Sequence, residues 1–351
     1  MSENHFIRRN WRLITTVVTF IALGILIFVT RKQIVDTFEN FKNIDSAALL
    51  LMPVWQVFNY YSYANLYRNL LAILDEKVEF WPMYRVALEL NFVNNVFPSG
   101  GVSSFSYFSV RMRSFDVPGA ESTIIQFMRF IMVFISFQIL LFIGLITLAI
   151  GGQASGIVIL IAGSLATLLL VFTLLTAYIV GSKSRINNTL TFLTKVFNWL
   201  VERFRPGHPE TINISRAQQI FTELHENYVI IQANYRDLKK PLMFALLANL
   251  TEVLTIYTVY VAFGQWVNPG AVIIAYAIAN FAGLISVLPG GVGIYEGLMT
   301  ATLAAAGVPA GVSIPVTIMY RVLSMLIQLP PGYYFYHKFM NTKPPEQLEA
   351  A

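Results

Sequence analysis

Apolar residues in this chain occur in runs, and the runs are of two kinds. Six are long enough to cross a bilayer: Trp11 to Thr30, Ala47 to Arg68, Thr123 to Ile150, Ser155 to Val180, Pro241 to Phe263 and Ser313 to Tyr336. A helix rises about 1.5 Å per residue, so roughly twenty apolar residues match a hydrocarbon core of about 30 Å. Arg8, Arg9 and Arg12 flank the start of the first run, which leaves through Phe28-Val29-Thr30-Arg31-Lys32. That exit lacks a small-x-small cleavage pattern, so the run reads as an uncleaved span rather than a signal peptide. Pro53 interrupts the second run, and Pro330-Pro331-Gly332 is expected to kink the last.

The second kind is shorter and broken. Met83 to Phe97 is helical in pattern, is interrupted by Pro98-Ser99-Gly100-Gly101-Val102, and resumes to about Phe115. Ala271 to Leu288 is interrupted by Pro289-Gly290-Gly291-Val292-Gly293 and resumes from Ile294 to Gly307. The two breaks match at an offset of 190 residues. Pro118, after Val117, lies 20 residues past Pro98, and Pro309, after Val308, lies 20 past Pro289. Arg129 follows Pro118 by 11 residues and Arg321 follows Pro309 by 12. These matches, all in one order, define two repeat units, about 83–150 and 271–336.

Between Gly181 and Lys240 the apolar runs stop. The stretch carries Lys183, Arg185, Lys195, Arg203, Arg205, Arg216, Arg236, Lys239 and Lys240 against five acids. Ile186, Leu190, Leu193, Phe197, Leu200 and Phe204 recur at helical spacing. A second amphipathic helix is expected from Ser215, with Gln218 completing a capping-box pattern. The excess of basic residues places this insertion, about 183–240, on the cytoplasmic side. Counting spans outward from it puts both termini in the cytoplasm, the first broken segment entering from inside and the second from outside. The expected fold is therefore all-α and polytopic, a single transmembrane domain over 1–351. It has six transmembrane helices plus two re-entrant Pro-Gly-Gly hairpins in an inverted repeat, in the cytoplasmic (inner) cell membrane. Broken helices of this kind survive only where they are packed in protein or line a wet cavity. In many transporters the substrate sits where two such breaks meet.

Composition narrows the chemistry. The chain is 56% hydrophobic and 12% charged, against about 25% charged in soluble domains. It has no cysteine, and His5, His208, His225 and His337 show no metal-binding spacing. The net charge of +5 suits basic loops beside an anionic leaflet, and no continuous basic face points to nucleic acid. No Walker-type phosphate loop, DxD pair or other cofactor-binding constellation occurs, so no cofactor and no catalytic role are expected.

Ionisable groups within apolar helices are costly and mark functional positions. Arg129 lies about 9 Å and Arg321 about 12 Å into their helices at the standard rise. Glu296 opens the helix after the second break, where a carboxylate also favours the helix dipole. Glu89 and Glu252 could each pair with an arginine. Asn91, Asn94, Asn95, Asn249 and Asn280 are suited to interhelical hydrogen bonds. A lipid phosphate calls for arginine and free backbone N–H groups, and a cationic headgroup calls in addition for a carboxylate. Arg129, Arg321, Glu296, Glu89, Asn91, Asn280 and the glycines Gly100, Gly101, Gly290, Gly291 and Gly293 form the expected headgroup-binding set.

With Pro289-Gly290-Gly291-Val292-Gly293-Ile294-Tyr295-Glu296, Asn91, Pro98-Ser99-Gly100-Gly101 and Arg321 in place, the chain resembles the transmembrane region of lysylphosphatidylglycerol synthase/flippase proteins from about residue 10 to 340. That resemblance implies movement of polar-headgroup phospholipids between leaflets, with membrane lipids as the partners and no nucleic acid. A homo-oligomer or a separate lipid-modifying enzyme stays open as a further partner. Full-length synthases carry a soluble aminoacyl-transfer domain after this region, and this chain ends at Ala351, so lysine transfer is not expected of it. The alternative is a membrane-embedded transferase, or an accessory subunit, acting on a polyprenyl-linked or aminoacylated lipid.

Overall fold

The computed structural model describes residues 44–97, 102–152, 155–204, 214–285 and 291–342, with scattered helical positions between 21 and 39. The expected first span, Trp11 to Thr30, falls mostly outside the described residues, as do positions 98–101 and 286–290.

All regular structure among the described residues is helical. The helices are α1 (Leu51–Ile73), α2 (Phe80–Val96), α3 (Val102–Arg113), α4 (Gly119–Ile150), α5 (Gly156–Val180), α6 (Lys183–Phe204), α7 (Ile214–Ala233), α8 (Lys239–Ala262), α9 (Pro269–Ile285), α10 (Ile294–Ala305) and α11 (Ala310–Thr342). Four stretches are long and apolar enough to cross a membrane: Gly119–Ile150, Gly156–Val180, Tyr235–Ala262 and Ala310–Asn341. In α5, Ile157, Leu160, Leu174 and Tyr178 are all exposed. A stripe of that size is tolerated only against lipid or another apolar partner. The chain is an integral membrane protein.

Six spans were expected, and among the described residues four qualify on length and composition. The helix α1 has the length, 23 residues, but it buries Gln56, Asn59, Ser62 and Asn65. Its polar face is turned into the protein, which lowers its mean hydropathy without exposing polar groups. The last helix keeps its prolines within it. It runs as one helix through Pro315, Pro330 and Pro331, since neighbouring helices and an apolar surrounding tolerate proline where water would compete for the freed carbonyls. In the insertion, α7 starts at Ile214, so Ser215 lies inside its first turn rather than at its cap.

Around α5–α7 the chain carries two sets of four helices. Their lengths are 23, 17, 12 and 32 residues for α1–α4 and 24, 17, 12 and 33 for α8–α11. Their turns match as well. After α1 and α8 the N–H of Glu76 bonds Leu71 O and that of Gln265 bonds Tyr260 O. After α3 and α10, Val117 N–H bonds Met112 O and Val308 N–H bonds Leu303 O. These are Schellman closures, which need one residue in the left-handed region. Asp75 (φ 62°) and Asp116 (φ 63°) fill it in the first set, Gly264 (φ 67°) and Gly307 (φ 86°) in the second.

The first helices of the two sets, α1 and α8, form the main interface of the bundle. They run antiparallel: Trp55 Nε1 donates to Thr258 Oγ1, Gln56 Nε2 to Thr255 Oγ1 and Asn59 Nδ2 to Thr251 Oγ1. Outer helices pack across the sets, α2 against α11 and α9 against α4. At the α2–α11 crossing Gly332 lets the backbones meet. A Cβ there would lie 2.7 Å from Leu88 O and from Phe92 Cβ.

Candidate functional site

The second break enters α10 through glycines that only glycine accommodates without strain, Gly291 at φ 67° and Gly293 at φ 88°. Glu296, in the first turn of α10, accepts the Gly293 N–H at 2.6 Å through Oε2. Its Oε1 faces Arg321 Nε at 3.3 Å, with both side chains 12% exposed. The contact is electrostatic rather than an aligned hydrogen bond. The guanidinium of Arg321 also lies 4.6 Å from the Tyr295 ring centroid, a cation–π distance. The break is thus tied to α11 by a carboxylate that serves a backbone donor and an arginine together.

Beside this pair a polar network crosses the bundle. Tyr320 OH donates to Glu252 Oε2 at 2.9 Å, and Gln56 Nε2 reaches Glu252 Oε1 at 3.4 Å. Gln328 Nε2 donates to Gln56 Oε1 at 2.7 Å. Asn91 Nδ2 donates in turn to Gln328 Oε1 at 2.8 Å and to Tyr60 OH. Asn95 Nδ2 donates to Asn91 Oδ1 at 2.7 Å. The network therefore links α1, α2, α8 and α11. A second branch joins Ser136 of α4 and Tyr276 of α9 through Asn249, at 2.9 and 3.2 Å.

Arg129 on α4 stands in a different environment. Its guanidinium lies 5.5 Å from the Tyr63 ring centroid, 5.9 Å from that of Tyr67 and 5.0 Å from that of Phe130. Its Nε is buried without a hydrogen-bond acceptor, and it forms no ion pair among the described residues. Tyr63 interacts electrostatically with both Arg129 and Glu252, so one tyrosine is shared by the arginine of the first set and the carboxylate of α8.

The remaining expected residues divide as follows. Glu89 pairs with Arg111 at 2.9 Å and accepts Tyr107 OH at 2.9 Å, fastening α2 to α3. Asn91 belongs to the central network. Asn280 on α9 is half-buried and makes no hydrogen bond among the described residues. Gly100, Gly101 and Gly290 lie outside the described residues. Sequence reasoning missed Gln56, Tyr63 and Gln328. The first two had a visible signal, polar positions at helical spacing (Gln56, Asn59, Tyr63) within an apolar, aromatic run. A pocket lined by Arg68, Asn69, Ala72, Glu76, Lys77, Val78 and Glu79 sits at the α1–α2 turn and includes none of these network residues.

The residues that carry the sequence resemblance include both partners of this pair, Glu296 and Arg321. The family profile described as the lysylphosphatidylglycerol synthase TM region matches residues 13–332. The chain belongs to that family. Among curated relatives, a "UPF0104 membrane protein" from Methanothermobacter thermautotrophicus is 25% identical over 347 residues, covering 92% of each chain. Another from the same organism is 27% identical over 160 residues, 42% of this chain. This chain spans about half of that relative, 48% of its length. A "UPF0104 membrane protein" from Pyrococcus horikoshii is 22% identical over 171 residues, 49% of this chain and 51% of its own. Within the family match lie both broken segments, Arg129, Glu252, Glu296 and Arg321.

Proposed function

We propose that this protein is a lipid flippase-like transporter that moves a phospholipid with an anionic, phosphate-bearing headgroup between leaflets. The observation that carries this reading is Arg129, an interior guanidinium with three aromatic rings around it and, among the described residues, no carboxylate partner and an unmet Nε–H. A cation held this way within a membrane helix is costly, and phosphate is its natural complement through charge-assisted hydrogen bonds. Membership in a family whose profile carries the name of a phospholipid synthase supports a lipid as the ligand. Arg321 has a different role in this reading. Its charge is met by Glu296, so the pair positions the second break beside the headgroup path, and Glu296 does not select cationic headgroups.

The architecture that serves this function is an inverted repeat, α1–α4 against α8–α11. It has six spans in all, and the α2–α3 and α9–α10 hairpins enter from opposite faces. Helix lengths that match to within one residue, equivalent Schellman turns and the antiparallel α1–α8 pair support it. Cytoplasmic termini in the inner membrane follow from the basic insertion, and membrane phospholipids are the partners.

The test is reconstitution into phosphatidylcholine vesicles with a trace of labelled phosphatidylglycerol, following the label's accessibility to an impermeant quencher. Arg129→Gln should slow exchange by roughly ten- to a hundredfold, the range of one lost hydrogen bond to a charged group. Arg129→Lys should restore part of it. Glu296→Gln should impair anionic and cationic lipids alike. Wild-type protein that leaves the label in its original leaflet would refute the transport reading, and unaltered exchange in Arg129→Gln would refute the role of Arg129.

A further inference from the structure

The charges of the bundle interior close on themselves in a way that the headgroup reading leaves unused. Arg321 is paired with Glu296. Glu252 sits near the middle of the 24-residue α8. Its hydrogen-bond donors, Gln56 Nε2 and Tyr320 OH, are both uncharged. Among the described residues Arg129 has no carboxylate, and Tyr63 stands within electrostatic range of both Arg129 and Glu252. With Glu252 ionised, two arginines and two glutamates sum to zero. A headgroup phosphate arriving at Arg129 adds a negative charge to this interior, and a net buried charge is disfavoured inside a membrane. One proton on Glu252 restores neutrality.

We propose that Glu252 is the proton site that couples lipid movement to a transmembrane pH difference, one proton on its carboxylate accompanying each phosphate-bearing headgroup. This rests on the transport reading above. The step is a protonation alone. The carboxylate takes a proton from the aqueous side on which the lipid enters and yields it to the side on which the lipid leaves, and no bond of the lipid forms or breaks. The titratable and charged groups that face Glu252 come from every helix around it. Tyr60 and Tyr63 lie on α1, Tyr276 on α9, Tyr295 on α10, and Tyr320 and Arg321 on α11. α4 contributes Arg129 beyond Tyr63. Glu252 is the acid in this set. The rest are tyrosines and arginines, which hold their protons at neutral pH. Tyr63 gives the coupling its place, since it touches Arg129 and lies within electrostatic range of Glu252.

The experiment imposes a pH difference on phosphatidylcholine vesicles carrying the full chain and a trace of tail-labelled phosphatidylglycerol. The membrane potential is clamped at zero with valinomycin and equal potassium. One-to-one coupling shifts the steady-state leaflet ratio of the label by about tenfold per pH unit. Glu252→Gln should give the same ratio with and without the gradient, and Glu252→Asp, which keeps the proton site, should retain the shift. Lipid that equilibrates in wild type with a ratio indifferent to the gradient overturns the coupling while leaving transport standing. A tenfold shift that persists in Glu252→Gln overturns the assignment to this residue. Wild type that moves no lipid under either condition overturns the transport reading and the coupling with it. Should Glu252→Gln fail to fold, the wild-type response and Glu252→Asp still decide the coupling.

Discussion

Position within an apolar helix marked Glu89, Glu296, Arg129 and Arg321 as candidates, and their neighbours separate them. Glu89 and Arg111 neutralise each other with side chains 2% and 13% exposed, and Tyr107 fills a further acceptor site. Such a pair contributes little net stability when intact but is expensive to halve, about 3–5 kcal/mol. Glu89→Gln should therefore lower the thermal midpoint of the detergent-purified protein strongly, whereas replacing Glu89 and Arg111 together by methionine should recover most of it. A Glu89→Gln variant that melts with wild type would show that the pair carries no such cost. Arg129 is the opposite case, a cation whose described neighbours are aromatic, with Tyr63, Tyr67 and Phe130 around its guanidinium.

Helix contacts explain why small residues sit where they do. Gly332 lies where α11 crosses α2, and any Cβ would press on Leu88 O and Phe92 Cβ. Gly163 lies in α5, where a Cβ would meet nothing within 4 Å. Gly332→Ala should cost about 1–3 kcal/mol, the usual range for overpacking. Gly163→Ala should be neutral or stabilising by up to about 1 kcal/mol through helix propensity. Thermal unfolding of the two variants side by side checks this, and equal midpoints would contradict the close crossing. The broken elements follow the same logic. Gly291 and Gly293 leave the helical region with positive φ, yet the carboxylate of Glu296 gives the Gly293 N–H a partner, so the second break leaves that donor satisfied.

At the scale of the whole molecule, the proposed inverted repeat puts equivalent loops on opposite faces of the membrane. The α1–α2 turn and the α8–α9 turn are such a pair, and each ends its helix with the same hydrogen bond. Lys77 and Gln265 are exposed in those turns, and the absence of cysteine makes single-cysteine labelling clean. Lys77→Cys should react with an impermeant maleimide only from the cytoplasmic side, together with Ser184→Cys in the insertion. Gln265→Cys should react only from outside. Labelling of positions 77 and 265 from the same side would replace the inverted repeat with a parallel one.

The sequence by itself determined the class, the break positions and most helix limits. Long apolar runs, prolines at helix starts and glycines at helix stops act through local physics that needs no partner, so α5, α8 and α9 start within two residues of expectation. It also placed Glu296 and Arg321 among the interior charges. Only the tertiary structure decided what each charge faces. That Glu89 meets Arg111, that Glu296 meets Arg321, and that Arg129 meets aromatic rings depends on contacts between helices far apart in the chain. Gln56 and Gln328, 272 residues apart, carry no local signal of meeting, because a glutamine side chain reads alike whether it faces lipid, water or another amide. Their pairing exists only once α1 and α11 are packed around α8.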